Sequence, residues 1–272
     1  MSESSAAGTG YIHGYAAAEQ QRLIRQAEIW KDRLILDGTV LAGGTRLLEV
    51  GCGAGAVLRI LGESFPDVHL NGIDNSPAQI EFARDHLAAH GVRADLNVAD
   101  ARNLPYETAS FDHVWMMWVL EHMTEDDAKA ALREARRVLA PGGRITVIEA
   151  DYATIKVGPS TPAVTSVLSA VVAAMRAFGQ SDAGMQLWGW LDEVGFSDID
   201  PGERLLTFRG TEMTGIAHYF ADAVEATINN PALSSAEEAI LRQGVRELRG
   251  PGPGSWLRAV VHKAQASAGS RD

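Results

Sequence analysis

The sequence predicts an α/β fold built on a doubly wound, mostly parallel sheet. Between residues 46 and 150, short apolar runs alternate with segments of helical spacing, which is the pattern of βαβ units. A glycine-rich turn follows the first apolar run, where such folds bend from strand to helix. With 272 residues, 46% of them hydrophobic, the chain can bury a full core. We therefore expect one core with insertions rather than two equal domains.

Five units follow one another along the chain. Strands are expected at residues 47–50, 68–73, 94–99, 111–117 and 144–150. Ser76 and Thr124 stand where helix N-caps are expected, because their side-chain oxygens can accept hydrogen bonds from the first helical turn. A helix is also predicted over residues 56–65, and the turn at residues 141–143 leads into the fifth strand.

The alternation breaks after residue 151. A helical pattern over 161–178 stands where a direct crossover is expected, so it predicts an insertion. Further helices are predicted at 185–194, 213–228 and 234–248, an edge strand at 198–208, and a last strand at 256–263. Residues 264–272 are expected to be disordered.

Composition and charge limit the partners. The net charge of −11 repels a phosphate backbone, and no basic stripe offsets it. Cys52 is the single cysteine, so an intrachain disulfide is impossible. The first ten residues lack the order of a signal peptide, and the apolar run at 114–120 is short of the roughly 20 residues that span a bilayer. We expect a cytoplasmic protein with no nucleic-acid partner and no membrane insertion; a homo-oligomer stays open.

The glycine turn is the motif that carries chemistry. In residues 49–55, Glu49 lies on the first predicted strand and three glycines follow in the turn. Gly51 and Gly53 leave room for a ligand to approach the backbone, and the next helix directs N–H groups at it. The dinucleotide pattern is also satisfied through Ala56, with Asp74 at a suitable distance for a ribose. The turn alone leaves an NAD-dependent oxidoreductase open.

Further features distinguish a dinucleotide-binding protein from one that binds a positively charged ligand. A carboxylate at Glu49 suits a ligand with an ammonium group and offers a pyrophosphate no favourable interaction. Asp100 and Ala101 offer a side-chain acceptor and a backbone N–H to an adenine edge. With Phe111-Asp112 and the turn at 141–143, the set resembles class I S-adenosyl-L-methionine (SAM)-dependent methyltransferases over residues 46–150. Residues 11–15 resemble the lid of the ubiquinone/menaquinone-methyltransferase-like small-molecule group.

The resemblance implies a seven-stranded sheet in the order 3-2-1-4-5-7-6, with the last strand antiparallel. The resemblance of residues 11–15 implies an N-terminal helical lid, and the helices predicted after residue 151 form cap insertions. The chain then divides into a lid segment and helix (1–45), a SAM-binding core (46–152), a cap insertion (153–183), a core continuation (184–209), a second helical insertion (210–250), and the last strand with its tail (251–272).

The resemblance also implies SAM as the cofactor and assigns its site. Glu49, Gly51, Cys52 and Gly53 are expected around the methionine portion, and Asp74 at the ribose hydroxyls. The remaining core positions are Asn75, Gln79, Asp100, Ala101 and Val119. The lid adds Tyr15, Arg22 and Gln26, with Arg22 or Gln26 free to meet the cofactor carboxylate.

The predicted function is SAM-dependent methyl transfer to an aromatic, partly apolar small molecule, with secondary metabolism as one setting. The acceptor atom (O, N or C) stays open, as does a SAM-fold protein that binds cofactor without methylating. His122 and His13 are the candidates for acid/base work, because histidine titrates near neutral pH. The expected substrate-binding residues are Tyr11, Trp118, Tyr152, Trp188, His218 and Tyr219. No His, Asp or Glu cluster has metal-ligand spacing, so no metal is expected.

Overall fold

The fold is described from a computed structural model, which covers residues 17–228 and 234–269. Its sheet has eight strands in the order β3-β2-β1-β4-β5-β8-β6, with β7 also paired to β8. The first five strands are parallel to one another, and β8 runs antiparallel to β5, β6 and β7. The strands are β1 Arg46–Val50, β2 His69–Asp74, β3 Ala94–Val98, β4 Phe111–Met117, β5 Leu139–Gly158, β6 Ser197–Asp200, β7 Glu203–Arg209 and β8 Trp256–Ser267.

The predicted order is confirmed, with one added strand. The edge strand expected at 198–208 is broken into β6 and β7 by Pro201 and Gly202. Proline has no N–H for a ladder, and Gly202 has a φ of +60° that turns the chain. Its backbone lies so close to the Lys263 carbonyl that a Cβ would clash. Both pieces still pair with β8, and they together take the place of one edge strand.

Two strands run further than predicted. β5 continues past residue 150 to Gly158, and after a register shift its last residues pair with the start of β8. β8 reaches Ser267, so the expected disorder from residue 264 is wrong for residues 264–267. Ala264 and Ala266 are fully buried, since their small side chains face the helices on one side of the sheet.

Eight α-helices surround the sheet in the described ranges. Ser76 Oγ accepts from the Gln79 N–H at 3.4 Å, and Thr124 Oγ1 accepts from the Asp127 N–H at 3.2 Å, as the predicted N-caps require. None of the helices within these ranges is both long and apolar enough to cross a membrane. The helices are α1 Ala17–Trp30, α2 Ala56–Ser64, α3 Pro77–Ala89, α4 Glu125–Val138, α5 Pro162–Phe178, α6 Ala183–Val194, α7 Thr211–Ile228 and α8 Ser235–Arg249.

The helices pack in three groups. One face of the sheet buries α1, α2, α3 and part of α7, while the other buries α4 and α6. A third, smaller cluster joins α5, α7 and α8 through residues such as Val167, Val224 and Val245. The two predicted insertions therefore pack against each other, and α7 belongs to both the sheet and this cluster.

A buried lysine ties the N-terminal segment to the last strand. Lys263 on β8 is 2% exposed, and its ammonium donates to the carbonyls of Ile35 and Asp37 and to Thr39 Oγ1. It also lies 5.4 Å from the centre of the Trp115 ring. Burial lowers the pKa of Lys263 to about 8. These contacts fix the chain just after α1, where the π-helical turn Lys31–Ile35 ends.

Candidate functional site

A cavity of about 400 Å³ lies at the carboxyl ends of β1, β2, β3 and β4. Parallel α/β sheets bind ligands at this edge, where the strand order reverses. Strand ends and loops form the floor, and α1, Tyr152 of β5 and Tyr219 of α7 form the opposite wall. Of the predicted cofactor positions within the described ranges, all line this cavity: Arg22, Gln26, Glu49, Gly51, Cys52, Gly53, Asp74, Asn75, Gln79, Asp100, Ala101 and Val119.

The glycine turn approaches the end of β4 closely. Gly51 has a φ of +74°, and a Cβ there would lie 2.5 Å from Val119 Cγ2. The N–H groups of Gly51 and Cys52 both donate to the Ile73 carbonyl at 2.8 Å, which holds the turn against β2. Burial raises the pKa of the Cys52 thiol well above its usual range, so this side chain stays protonated.

Asp74 joins the turn to the start of α3. Its Oδ2 accepts from the Gly53 N–H at 3.0 Å, and its Oδ1 accepts from the Ser76 N–H at 2.9 Å. Burial raises the pKa of Asp74, and the backbone N–H donors act in the opposite direction. Each carboxylate oxygen has a second lone pair, so Asp74 can still accept from a ligand hydroxyl.

Glu49 is a buried acid with an oxygen that nothing satisfies. It is 3% exposed, and its Oε2 has no hydrogen-bond partner within the described part of the chain. Burial raises the pKa of Glu49 well above its usual range. An unpaired buried carboxylate is costly, whereas a bound cation offsets that cost. The Glu49 carboxyl and the side-chain-free turn beside it fit a ligand with a positively charged group.

The end of β3 presents an ion-pair cluster at the mouth of the cavity. The Arg102 guanidinium forms ion pairs with Asp100 at 2.6 Å and with Asp127 at 2.9 Å. The backbone N–H of Arg102 also donates to Asp100 Oδ1 at 2.8 Å. Arg102 accordingly lowers the pKa of Asp100. The described residues contain no group of three or more His, Cys, Asp and Glu side chains that could hold a metal ion.

The turn after β4 is held by a buried carboxylate that sequence reasoning missed. Glu149 of β5 is fully buried and accepts from the N–H groups of Val119 at 2.9 Å, Leu120 at 2.7 Å and Glu121 at 3.3 Å. Trp118, just before the turn, has a φ of +56°, which is unusual for a large side chain. The one available signal was an acid inside the apolar run of β5.

Glu121 is a second buried acid and faces the cavity. It is 2% exposed; its Oε1 accepts from the Tyr152 hydroxyl at 2.8 Å, and its Oε2 has no partner among the described residues. Burial raises the pKa of Glu121 to about 7, although the hydrogen bond from Tyr152 lowers it. His122 Nε2 lies 3.7 Å from the same Oε1. Sequence reasoning assigned acid/base work to His122 and gave Glu121 no role.

The helix α1 carries its own ion pair into the cavity wall. Arg22 and Glu19, one turn apart, form two hydrogen bonds of 2.7 Å. Gln26 Nε2 donates to the Tyr219 hydroxyl at 2.7 Å. Each of the two side chains thus already has a partner on α1 or α7, and a contact of either with the cofactor carboxylate stays a prediction.

Two predicted substrate-binding residues lie away from the cavity. Trp188 on α6 is 53% exposed, because α6 buries its opposite side against the sheet. His218 is exposed, and its ring bonds the Arg249 carbonyl at 2.9 Å. It neighbours Tyr219 in sequence, but adjacent helical residues point about 100° apart. Tyr11, His13 and Tyr15 lie outside the described residues.

The fold agrees with comparisons to known proteins. Residues 47–143, about a third of the chain, match the family described as "Methyltransferase domain". The match favours a methyltransferase over a dinucleotide-binding protein at the glycine turn.

Two curated relatives are methyltransferases by name. A 27-O-demethylrifamycin SV methyltransferase of Amycolatopsis mediterranei is 39% identical over 144 residues, 52% of this chain and 51% of that relative. An O-methyltransferase of Aspergillus nomiae is 35% identical over 144 residues, 52% of this chain and 63% of that relative. The chain thus spans less than two thirds of the length of these two relatives.

Solved structures share the fold at low sequence identity. Phosphoethanolamine N-methyltransferase 2 of Haemonchus contortus, in complex with S-adenosylhomocysteine, has a TM-score of 0.58 at 16% identity and covers 92% of this chain and 58% of its own. The [4+2]-cyclase SpnF has a TM-score of 0.55 at 24% identity, and covers 96% of this chain and 87% of its own. These likenesses concern the fold alone.

Proposed function

We propose that this protein transfers a methyl group from SAM to a small-molecule acceptor. The observation that carries the proposal is the unsatisfied Oε2 of buried Glu49 in the cavity, next to the turn at Gly51 and Gly53. SAM carries an ammonium group and a positively charged sulfur, and a buried carboxyl group with one unpaired oxygen is stabilised by such a ligand. A pyrophosphate cofactor offers that oxygen no donor.

The other cofactor residues follow from their positions. Asp74 would accept from the ribose hydroxyls, and Asn75 and Gln79 lie beside it on the cavity wall. Gln79 Oε1 is buried and has no partner within the described ranges, so it can accept from the ligand. Asp100 and Ala101 would meet the adenine, and Val119 would contact the cofactor from the end of β4.

When bound, SAM supplies a methyl group on a sulfur that loses its positive charge during transfer. The residues of this chain would bind the reactants, align them and exclude water from them. These effects account for most of the acceleration that such reactions need. α1 and Tyr219 limit the access of water, and the rigid turn held by Glu149 fixes Trp118 and Val119. Of the two histidines predicted for acid/base work, His122 lines the cavity at this turn and His13 lies outside the described residues.

The part of the cavity wall that would contact the methyl acceptor is aromatic. Trp118, Tyr152 and Tyr219 line the cavity opposite the glycine turn, which favours an aromatic or partly apolar acceptor. The names of the rifamycin and Aspergillus relatives state O-methylation. We therefore propose oxygen as the acceptor atom and secondary metabolism as the setting.

Cofactor binding without methyl transfer is a second candidate, since the cyclase SpnF shares this fold over 96% of the chain. Titration calorimetry with SAM, S-adenosylhomocysteine and NADH tests the cofactor; we expect micromolar binding of the first two and none of NADH. Mass spectrometry of acceptor mixtures tests the activity, because methylation adds one methyl mass. Binding without any mass change would favour the second candidate.

A further inference from the structure

We propose that Glu121 is the group that removes the proton from the acceptor, and that the acceptor atom is a hydroxyl oxygen on a neutral, largely apolar molecule. This inference rests on the proposed methyl transfer and specifies its substrate class.

Two buried acids lie at the end of β4, and only one is available. Glu149 receives three backbone N–H groups and does not line the cavity. Glu121 lines the cavity; Tyr152 donates to its Oε1, Glu149 also forms a hydrogen bond with its carboxyl group, and no N–H or hydroxyl donor of the described residues reaches its Oε2. The geometry therefore leaves one carboxylate oxygen, fixed in position, for a bound molecule.

A second unsatisfied group defines what that molecule presents. Trp118 Nε1 is buried, lines the same cavity and has no acceptor within the described ranges. A hydroxyl both donates and accepts hydrogen bonds, whereas an alkylammonium only donates and a carboxylate only accepts. A hydroxyl is therefore the group that can donate to an acceptor such as Glu121 Oε2 and also accept from a donor such as Trp118 Nε1.

The charges of the cavity point the same way. Its described arginines, Arg22 and Arg102, are already bonded to Glu19 and to Asp100 and Asp127. An anionic acceptor would therefore meet neutralised arginines and several carboxylates. A second cavity of about 20 Å³, large enough for one small group, shares Gln26, Trp118, Tyr152 and Tyr219 with the first and is otherwise lined mainly by apolar side chains.

Several groups surround Glu121 and set its titration. Tyr152 and Glu149 approach from β5, Arg22 from α1 and Tyr219 from α7, with His122 on its own turn. Burial outweighs the groups that lower its pKa, which is raised to about 7. The carboxylate form that can take a proton thus becomes the major form as the pH rises through about 7.

The step balances with these groups alone. The acceptor O–H bond breaks and its proton passes to Glu121 Oε2. The oxygen lone pair forms the O–CH₃ bond while the S–CH₃ bond of the cofactor breaks, and that bonding pair stays on the neutral sulfur. Glu121 returns its proton to water after the product leaves.

The acceptor class is tested with label transfer from methyl-labelled SAM to matched probes. The hydroxyl probes are 2-naphthol and 1-decanol, compared with amines and carboxylic acids of the same skeletons. We expect transfer to hydroxyl probes. Transfer confined to the amines or acids, or to none of the probes by a protein that binds SAM, would overturn the inference. A protein that binds no SAM would instead overturn the proposed function.

The role of Glu121 is tested by Glu121→Gln, which keeps the shape and removes the base. We expect the transfer rate to fall by about 100-fold or more, with unchanged SAM affinity and no rise through neutral pH. Glu125→Gln makes the same change at an exposed position of α4 and should behave like the parent. A parent-like rate and pH profile for Glu121→Gln would overturn the assignment.

Tyr152 is a positioning residue in this scheme, and Tyr152→Phe decides the case if Glu121→Gln does not fold. Its hydroxyl lowers the pKa of Glu121, so its removal raises that pKa further. The rising limb of the pH profile should therefore move to higher pH, a shift that a purely structural role would not produce. A reduced rate with an unmoved limb would contradict the inference.

Discussion

Gln26 on α1 donates a 2.7 Å hydrogen bond to the hydroxyl of Tyr219 on α7, across 193 residues of sequence. The bond joins the helix that precedes the sheet to an insertion near the end of the chain. Both residues line the cavity, so this contact closes its wall. A double-mutant cycle with Gln26→Leu and Tyr219→Phe should give a coupling energy of about 1 kcal/mol in urea unfolding. A coupling energy of zero would mean that the two helices are held by packing alone.

Asp74→Ala should weaken SAM binding by about 2 kcal/mol, measured by calorimetry. Two effects add: the ribose loses its proposed acceptor, and the N–H groups of Gly53 and Ser76 lose theirs. Circular dichroism should remain that of the parent. A folded variant with parent affinity would remove Asp74 from the ribose site.

Gly53→Val should abolish SAM binding with little loss of secondary structure. Gly53 has a φ of +48°, and a Cβ there would lie 3.2 Å from Leu23 of α1, inside the cavity wall. Gly38→Val is the matched control, because Gly38 has a φ of +65° with open space around its Cβ position. The control therefore shares the backbone strain and should keep its SAM affinity. Equal losses in both variants would assign the effect to strain.

Lys263→Met should lower the free energy of unfolding by about 2–3 kcal/mol at neutral pH. The substitution removes the hydrogen bonds that the Lys263 ammonium donates to the carbonyls of Ile35 and Asp37. Lys156→Met, at an exposed position of β5, should change it by less than about 0.5 kcal/mol. If both variants lost a similar amount of unfolding free energy in urea, the stabilising role of the Lys263 hydrogen bonds would be contradicted.

The same lysine predicts a pH dependence. Its pKa is about 8 in the folded protein, below the usual 10.5, so the unfolded chain binds more protons between these values. This group therefore makes the folded state more stable as the pH rises from 8 towards 10.5. Unfolding curves across that interval should show the increase in the parent and lose it in Lys263→Met.

Much of the core was predictable because its signals are local. β4 was predicted at the bounds that it has, and the caps of α3 and α4 follow from Ser76 and Thr124. The break between β6 and β7 was not predicted, although Pro201 and Gly202 indicate it. The prediction followed the apolar pattern and ignored these two residues, which interrupt the hydrogen bonding of a strand.

The site was predictable where a motif carries it and not where distant segments meet. The glycine turn and Asp74 lie together because they end neighbouring strands. The bonds between Glu121 and Tyr152, and between Glu149 and the turn after β4, join residues about 30 positions apart. No periodicity encodes such contacts. The exposure of Trp188 likewise depends on which side of α6 meets the sheet.

The small hydrophobic cluster shared by α5, α7 and α8 supports one wall of the cavity independently of the sheet. Tyr219 sits on α7, whose outer packing is set by that cluster, whereas the glycine turn depends on the sheet. Mutations among Val167, Val224 and Val245 would therefore reach the cavity through α7, at Tyr219 and its bonded partner Gln26, while the glycine turn keeps its support from the sheet. Under the proposed function, this cluster is where sequence change would alter the accepted molecule and spare the strand ends that hold the methyl donor.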